Sequence, residues 1–240
     1  MGGWNVSRRL GFLLFAAAIA AGGCTSAKGE PPEVRKLQAR AAFERGLVAF
    51  RDKQASLALS AFREAIDIDP SAADYPNALG LLYLELRRPD LALAEFAKAT
   101  ALDPKFADAQ VNRGIALAEQ RRWEEAVGAY RTALTLPAIG SSYLVYNNLG
   151  LALYSLGRLQ EAEDTLRFAI NLEPSQEPAY YHLGLVLVAL GRPEEAKMAY
   201  RQARLIAPES PFGQAAAARL RDLGEAMPAP SDPEPKRAPK

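Results

Sequence analysis

Five times along this chain a glycine is followed twelve residues later by alanine, sixteen later by a bulky residue and nineteen later by alanine again. The glycines are Gly46, Gly80, Gly114, Gly150 and Gly184, and the first alanines are Ala58, Ala92, Ala126, Ala162 and Ala196. The bulky position holds Phe62, Phe96, Tyr130, Leu166 and Tyr200, and the second alanines are Ala65, Ala99, Ala133, Ala169 and Ala203. Pro70, Pro104, Pro174 and Pro208 close four units, and Pro137 falls one position early in the third. The spacing is 34 residues throughout, except for 36 between the third and fourth units. A glycine inside a helix costs about 1 kcal/mol relative to alanine, so five in register require a close helix contact, expected against the small alanine of the partner helix.

This pattern resembles the tetratricopeptide repeat, whose unit is helix, turn, helix over about 34 residues. The resemblance spans residues 39–208 and implies an all-α solenoid of five helical hairpins. Helices of about a dozen residues are too short to stand alone in water. Stacking on the next hairpin supplies the missing burial. The expected units are 39–72, 73–106, 107–142, 143–176 and 177–210. A C-terminal capping helix follows at 211–225, where Phe212, Ala216, Leu220 and Leu223 share one face at helical spacing. The solenoid thus spans 33–225, and the proline-rich tail at 226–240 has too little apolar matter to fold.

Before the array, residues 1–23 carry Arg8 and Arg9, an apolar run of about 12 residues and two glycines, the pattern of an export signal. The run is shorter than the roughly 20 residues that cross a bilayer. Cys24, the only cysteine, stands where a bacterial lipobox would place it, and the resemblance implies that its thiol carries diacylglycerol and becomes the new N-terminus. The bland alternative is a free thiol beside an ordinary cleavage site. Ser7-Arg8-Arg9-Leu10 also faintly resembles a twin-arginine signal, although the general secretory route fits the strongly apolar core better. With Thr25 and Ser26 after the cysteine, the rule for enterobacterial lipoproteins implies the outer membrane, facing the periplasm. Residues 24–32 form a polar tether that spans about 30 Å at full stretch. Removing residues 1–23 leaves 27 basic and 28 acidic side chains, which gives no electrostatic footprint for nucleic acid.

Catalysis needs titratable or nucleophilic groups in fixed geometry, and the chain offers a single histidine. His182 has no second histidine or thiol with which to share a metal and is expected to pack at the surface or groove edge. Glu124, Glu125, Glu194 and Glu195 open the second helices of their hairpins, where the helix dipole favours acids. The reading is therefore no enzyme, no cofactor, no metal and no small-molecule substrate. Basic residues collect at the hairpin turns: Arg51, Lys53, Arg87, Arg88, Arg121, Arg122, Arg158 and Arg192. That stripe fits anionic headgroups or an acidic partner, or equally the C-terminal ends of the first helices.

In this fold the first helix of each hairpin lines the concave face. The positions that point there hold Phe43, Leu47 and Phe50; Asn77, Leu81 and Leu84; Val111, Ile115 and Ala118; Leu144, Asn147, Leu151 and Tyr154; Tyr181, Leu185 and Val188. Any one of these side chains could equally pack between neighbouring repeats, but as a set so apolar a lining implies a protein partner. Asn77, Asn112 and Asn147 add amides that could hold a peptide backbone, or else bond along the helix surface. The lining is too neutral for the lysine and arginine clamp by which chaperone adaptors of this family grip a terminal carboxylate.

A lipid anchor followed at once by such an array and a capping helix is similar to the type IV pilus pilotin family, the PilF, PilW and Tgl type. That family has a longer junction near the middle of the array, and here residues 133–143 supply two extra residues before Asn147-Asn148-Leu149-Gly150. The family's junction commonly carries Asp-Pro and an aromatic, where this chain has Leu136-Pro137 and no aromatic until Tyr143. The resemblance implies an outer-membrane lipoprotein that binds a secretin subunit and promotes its insertion and multimerisation. The alternative is a lipoprotein scaffold of the same architecture that recruits cell-wall hydrolases or outer-membrane assembly factors.

Overall fold

The computed structural model describes residues 29–137 and 140–225. Cys24, the export segment and the tail at 226–240 lie outside the described residues. Within them eleven helices follow one another: α1 (Pro32–Arg51), α2 (Ala55–Ile68), α3 (Asp74–Glu85), α4 (Pro89–Leu102), α5 (Ala107–Glu119), α6 (Trp123–Thr135), α7 (Ser142–Ser155), α8 (Leu159–Leu172), α9 (Glu177–Ala189), α10 (Pro193–Ile206) and α11 (Pro211–Asp222). No strand occurs among the described residues.

Each hairpin turns in the same way. The first helix ends with a left-handed residue, and the next amide donates back over the turn: Gln54 to Ala49, Arg88 to Tyr83, Arg122 to Leu117, Arg158 to Leu153 and Arg192 to Leu187, at 2.8–3.0 Å. This six-to-one closure satisfies a carbonyl that the helix end would orphan. The left-handed position is Gly157 and Gly191 in the last two hairpins but Lys53, Arg87 and Arg121 in the first three. Three of the residues in the basic stripe are therefore the pivots of turns.

The signature glycines do permit close approach, but not against alanine. A methyl on Gly46 would lie 2.5 Å from the Phe62 ring, and one on Gly80 would lie 2.5 Å from the Phe96 ring. Gly114, Gly150 and Gly184 meet Tyr130, Leu166 and Tyr200 in the same way. The ring or branched chain of the second helix lies flat on the bare backbone of the first, and the alanines at twelve and nineteen seal its flanks. All five bulky residues are inaccessible to solvent, or within 1% of it.

Between hairpins, each second helix packs on the next first helix. Successive first helices also touch along the whole array, whereas successive second helices make no comparable contact. The stack therefore curves with α1, α3, α5, α7 and α9 on its inner side. At the far end α11 packs on α10 and α9. Its start is capped by Ser210, whose hydroxyl accepts from the Gly213 amide at 3.0 Å. Ala216 and Leu220 are buried beneath it, as its apolar face requires.

Candidate functional site

The inner face is built from the residues just after each signature glycine. Leu81, Ile115, Leu151 and Leu185 stand one residue on and are half-buried, while Leu47 is exposed. Phe43, Phe50, Leu81 and Leu84 also pack on the core of the first hairpins, and Val111, Ile115, Tyr154, Tyr181 and Leu185 on that of the later ones. Each of these residues thus has a structural side and an open side. Leu144 and Val188 are exposed, at 45% and 42%, and Leu47 shows 36%.

The asparagines are a correction. Asn77 and Asn147 are buried, and their carbonyls are already taken. Asn112 donates from Nδ2 to Asn77 Oδ1 at 3.0 Å, and His182 Nδ1 lies 2.8 Å from Asn147 Oδ1. The two rungs have one geometry, a residue bonded to the one 35 positions on, from one first helix to the next. These bonds join repeats, and they leave neither Asn77 nor Asn147 with a free carbonyl for a peptide.

His182 is a correction too. It is buried, not at the surface, and sits edge-on to Phe212 of α11 at 5.3 Å and to Tyr181 at 5.7 Å between ring centroids. Loss of hydration pushes its pKa down to about 4, so it is neutral and donates through Nδ1–H to the Asn147 carbonyl. Its signal in the sequence is the repeat frame itself: the position 35 after an inner asparagine carries a polar group twice.

The basic stripe is laced with carboxylates. Arg158 binds Glu161 of its own hairpin at 2.7 Å and Glu124 of the preceding one at 3.3 Å. Arg192 repeats the arrangement with Glu195 at 2.6 Å and Glu163 at 2.7 Å. Glu163 is buried; desolvation works to raise its pKa, but the Arg167 and Arg192 guanidiniums outweigh this and hold it below the usual carboxylate range. Glu125 and Glu195 thus serve the turn arginines as well as the helix dipole.

Two cavities open on the inner face. One, of about 320 Å³, lies between the third and fourth hairpins and is lined by Ile115, Ala118, Glu119, Trp123, Tyr130 and Leu151, with Asn148 and Ala152 behind. The other, of about 290 Å³, lies between the fifth hairpin and α11, where Leu185, Val188, Ala189, Tyr200, Arg219 and Leu223 surround it and Tyr154 and Asp222 complete the rim.

Comparison with protein families extends this picture. A tetratricopeptide repeat model matches residues 14–73 and 77–143, and two further repeat models match 150–191 and 177–210. The chain belongs to the tetratricopeptide repeat family. No curated protein matches it in sequence. Among solved structures, it is similar to PilF of Pseudomonas aeruginosa, with 23% identity and a TM-score of 0.65 over 79% of this chain and 93% of that one. PilW, described as a widely conserved type IV pilus biogenesis factor, gives 19% identity and a TM-score of 0.69 over 77% and 86%. YrrB, described as a tetratricopeptide repeat protein with an unusual peptide-binding site, gives 20% and 0.63 over 78% and 95%. At these identities the likeness shows the shared fold. Tetratricopeptide repeats are in general scaffolds for protein interaction.

Proposed function

We propose that this chain is an outer-membrane lipoprotein, anchored through Cys24 and facing the periplasm. There it binds the secretin subunit of a type IV pilus machine and promotes its insertion and multimerisation. The observation that carries this reading is the inner face: a continuous row of half-buried apolar side chains, open to solvent, on a tetratricopeptide repeat solenoid. The likeness to PilF and to PilW, a type IV pilus biogenesis factor, supports the choice of a pilus partner. An unassembled secretin exposes apolar segments, and a tethered groove shields them until the bilayer takes over. One acyl chain holds a protein only marginally, and the several chains of a mature lipoprotein hold it firmly. No residue needs a catalytic role in this account.

The test is co-purification of the full chain with its secretin from membranes, together with the fraction of secretin in heat-stable multimers. Wild type is expected to retain the secretin and raise that fraction. Cys24→Ala is expected to leave the membrane fraction while keeping its helicity, and the Leu81→Glu, Leu151→Glu pair to lose the secretin. Retention of a cell-wall hydrolase instead, with secretin multimers unaffected, would replace this function with the scaffold alternative.

A further inference from the structure

The two inner-face cavities are the same place in two different repeats. Four residues after the signature glycine the chain carries Phe50, Leu84, Ala118, Tyr154 and Val188. At Phe50 the ring packs on the bulky residue of the second helix, Phe62, with centroids 6.4 Å apart. Where the residue four after the glycine is small, at Ala118 and Val188, a cavity opens, and in both cases Tyr130 or Tyr200 lines it. Ile115 and Leu185 form the matching walls, and the next helix of the inner face, α7 or α11, closes the far side.

We propose that these cavities are paired anchor sites for one extended, strand-like segment of a partner protein, taking two large apolar side chains about six residues apart. This deepens the function proposed above and rests on that reading for the identity of the partner. The spacing follows from the stack. First helices two repeats apart are separated by two helix-to-helix steps of 8–10 Å, roughly 16–20 Å in all. An extended chain rises about 3.3 Å per residue, so it covers this in five to six residues, and the alternation of faces along a strand selects six. An α-helix would need about 11–13 residues for the same span. Each cavity has room for a leucine or an aromatic ring, and Tyr154 stands between them as the ridge that the backbone crosses.

Charge gives the segment a direction. Glu119 on the rim of the first cavity is exposed and makes no ion pair among the described residues. At the second, the Arg219 guanidinium meets the Tyr181 hydroxyl and a single carboxylate, Asp222, 3.7 Å away. The complementary segment carries a lysine or arginine beside its first anchor and an acid beside its second. The hydroxyl of Tyr200, covered and without a hydrogen-bond partner, lies by the second cavity, where a carbonyl of the segment could accept from it once the wall gives slightly.

The experiment uses the full chain in detergent and labelled synthetic peptides read by fluorescence anisotropy. The probe has two leucines six residues apart on a serine and threonine backbone, with lysine beside the first and glutamate beside the second. It is expected to bind at least tenfold more tightly than the same composition with spacing four or with the charges exchanged. Ala118→Phe and Val188→Phe, which copy the chain's own filling at Phe50, should each weaken binding at least tenfold while helicity and melting temperature hold. If either variant fails to fold, Glu119→Lys supplies the check, since it should invert the charge preference. Tighter binding of a helical peptide with leucines eleven residues apart, or binding indifferent to both fillings, would overturn the proposal. Secretin retention by the doubly filled chain would sink this inference and leave the proposed function standing; peptide binding as expected without secretin retention would do the reverse.

Discussion

His182 shows what a single buried side chain does to the whole array. It is the one histidine of the chain, it bridges two repeats through Asn147, and it is covered by Phe212 of the end helix. Its folded pKa of about 4 lies below the ordinary value of 6.5. The unfolded chain therefore takes up the proton first, and the stabilising contribution of the neutral ring is complete above about pH 6.5 and lost as pH falls towards 4. Between pH 7 and pH 5 wild type is expected to lose about 2 kcal/mol more stability than His182→Gln, which keeps a donor for Asn147 but does not titrate. Urea unfolding of both proteins at the two pH values measures this, and equal losses would mean the ring is hydrated. Little of this environment was legible in the sequence. Flanked by Tyr181 and Leu183, the residue reads as a groove edge, because its cover, Phe212, belongs to a helix beyond α10, the next along the chain. The asparagines misled for the same reason, since their partners lie 35 residues away.

The helix hairpin was legible down to its period, and its contact was not. Glycine, alanine, bulky residue and alanine fix the phase of two helices, but the sequence does not say which of the three partners the glycine backbone touches. The structure gives that place to the ring, and this turns into a paired prediction. At Gly80 an added methyl meets Phe96 at 2.5 Å, in a site with no solvent-exposed room for the ring to move into. Overpacking of about 1–3 kcal/mol then outweighs the helix preference of alanine, which is worth about 1 kcal/mol. Gly80→Ala is expected to destabilise by up to about 2 kcal/mol net. Gly128 lies on the exposed side of α6 with nothing within 4 Å of an added methyl, so Gly128→Ala should stabilise by about 0.5–1 kcal/mol. Denaturant midpoints decide, and a gain at both positions would show that the ring yields freely. The turns carry a further element that composition hides. Lys53, Arg87 and Arg121 occupy left-handed positions, which side chains adopt at a cost, so residues that read as a charged stripe are first of all hinges.

Across the whole molecule the core is not one body but a chain of overlapping ones. Ala49, Phe62, Leu82 and Phe96 belong to a cluster that ends at Ala116, and Leu117, the next residue, begins the one that runs through Tyr130, Leu153 and Leu187 to Leu220. In such a stack each repeat is held by its neighbours alone, so the terminal repeat depends on whatever closes it. Here that is α11, which covers the rings of Tyr181 and His182 with Phe212 and buries Leu220. The need for an end helix, and its apolar face, followed from the sequence because a solenoid must stop somewhere; its role as one wall of an inner-face cavity did not, since that depends on Val188 being small where Tyr154 is large. Removing residues 211–240 should therefore act locally. Amides of α9 and α10 are expected to lose most of their protection from hydrogen exchange, those of α7 and α8 a smaller part, and those of α1 to α4 none, because no contact of the first cluster reaches the end helix. Exchange measured by mass spectrometry on the full chain and the shortened one reads this gradient directly. A uniform loss of protection along the array would mean that these two clusters, with the smaller one of Ala39, Ala42, Ala65 and Tyr75, unfold as one and that Ala116 and Leu117 couple them more strongly than their packing indicates.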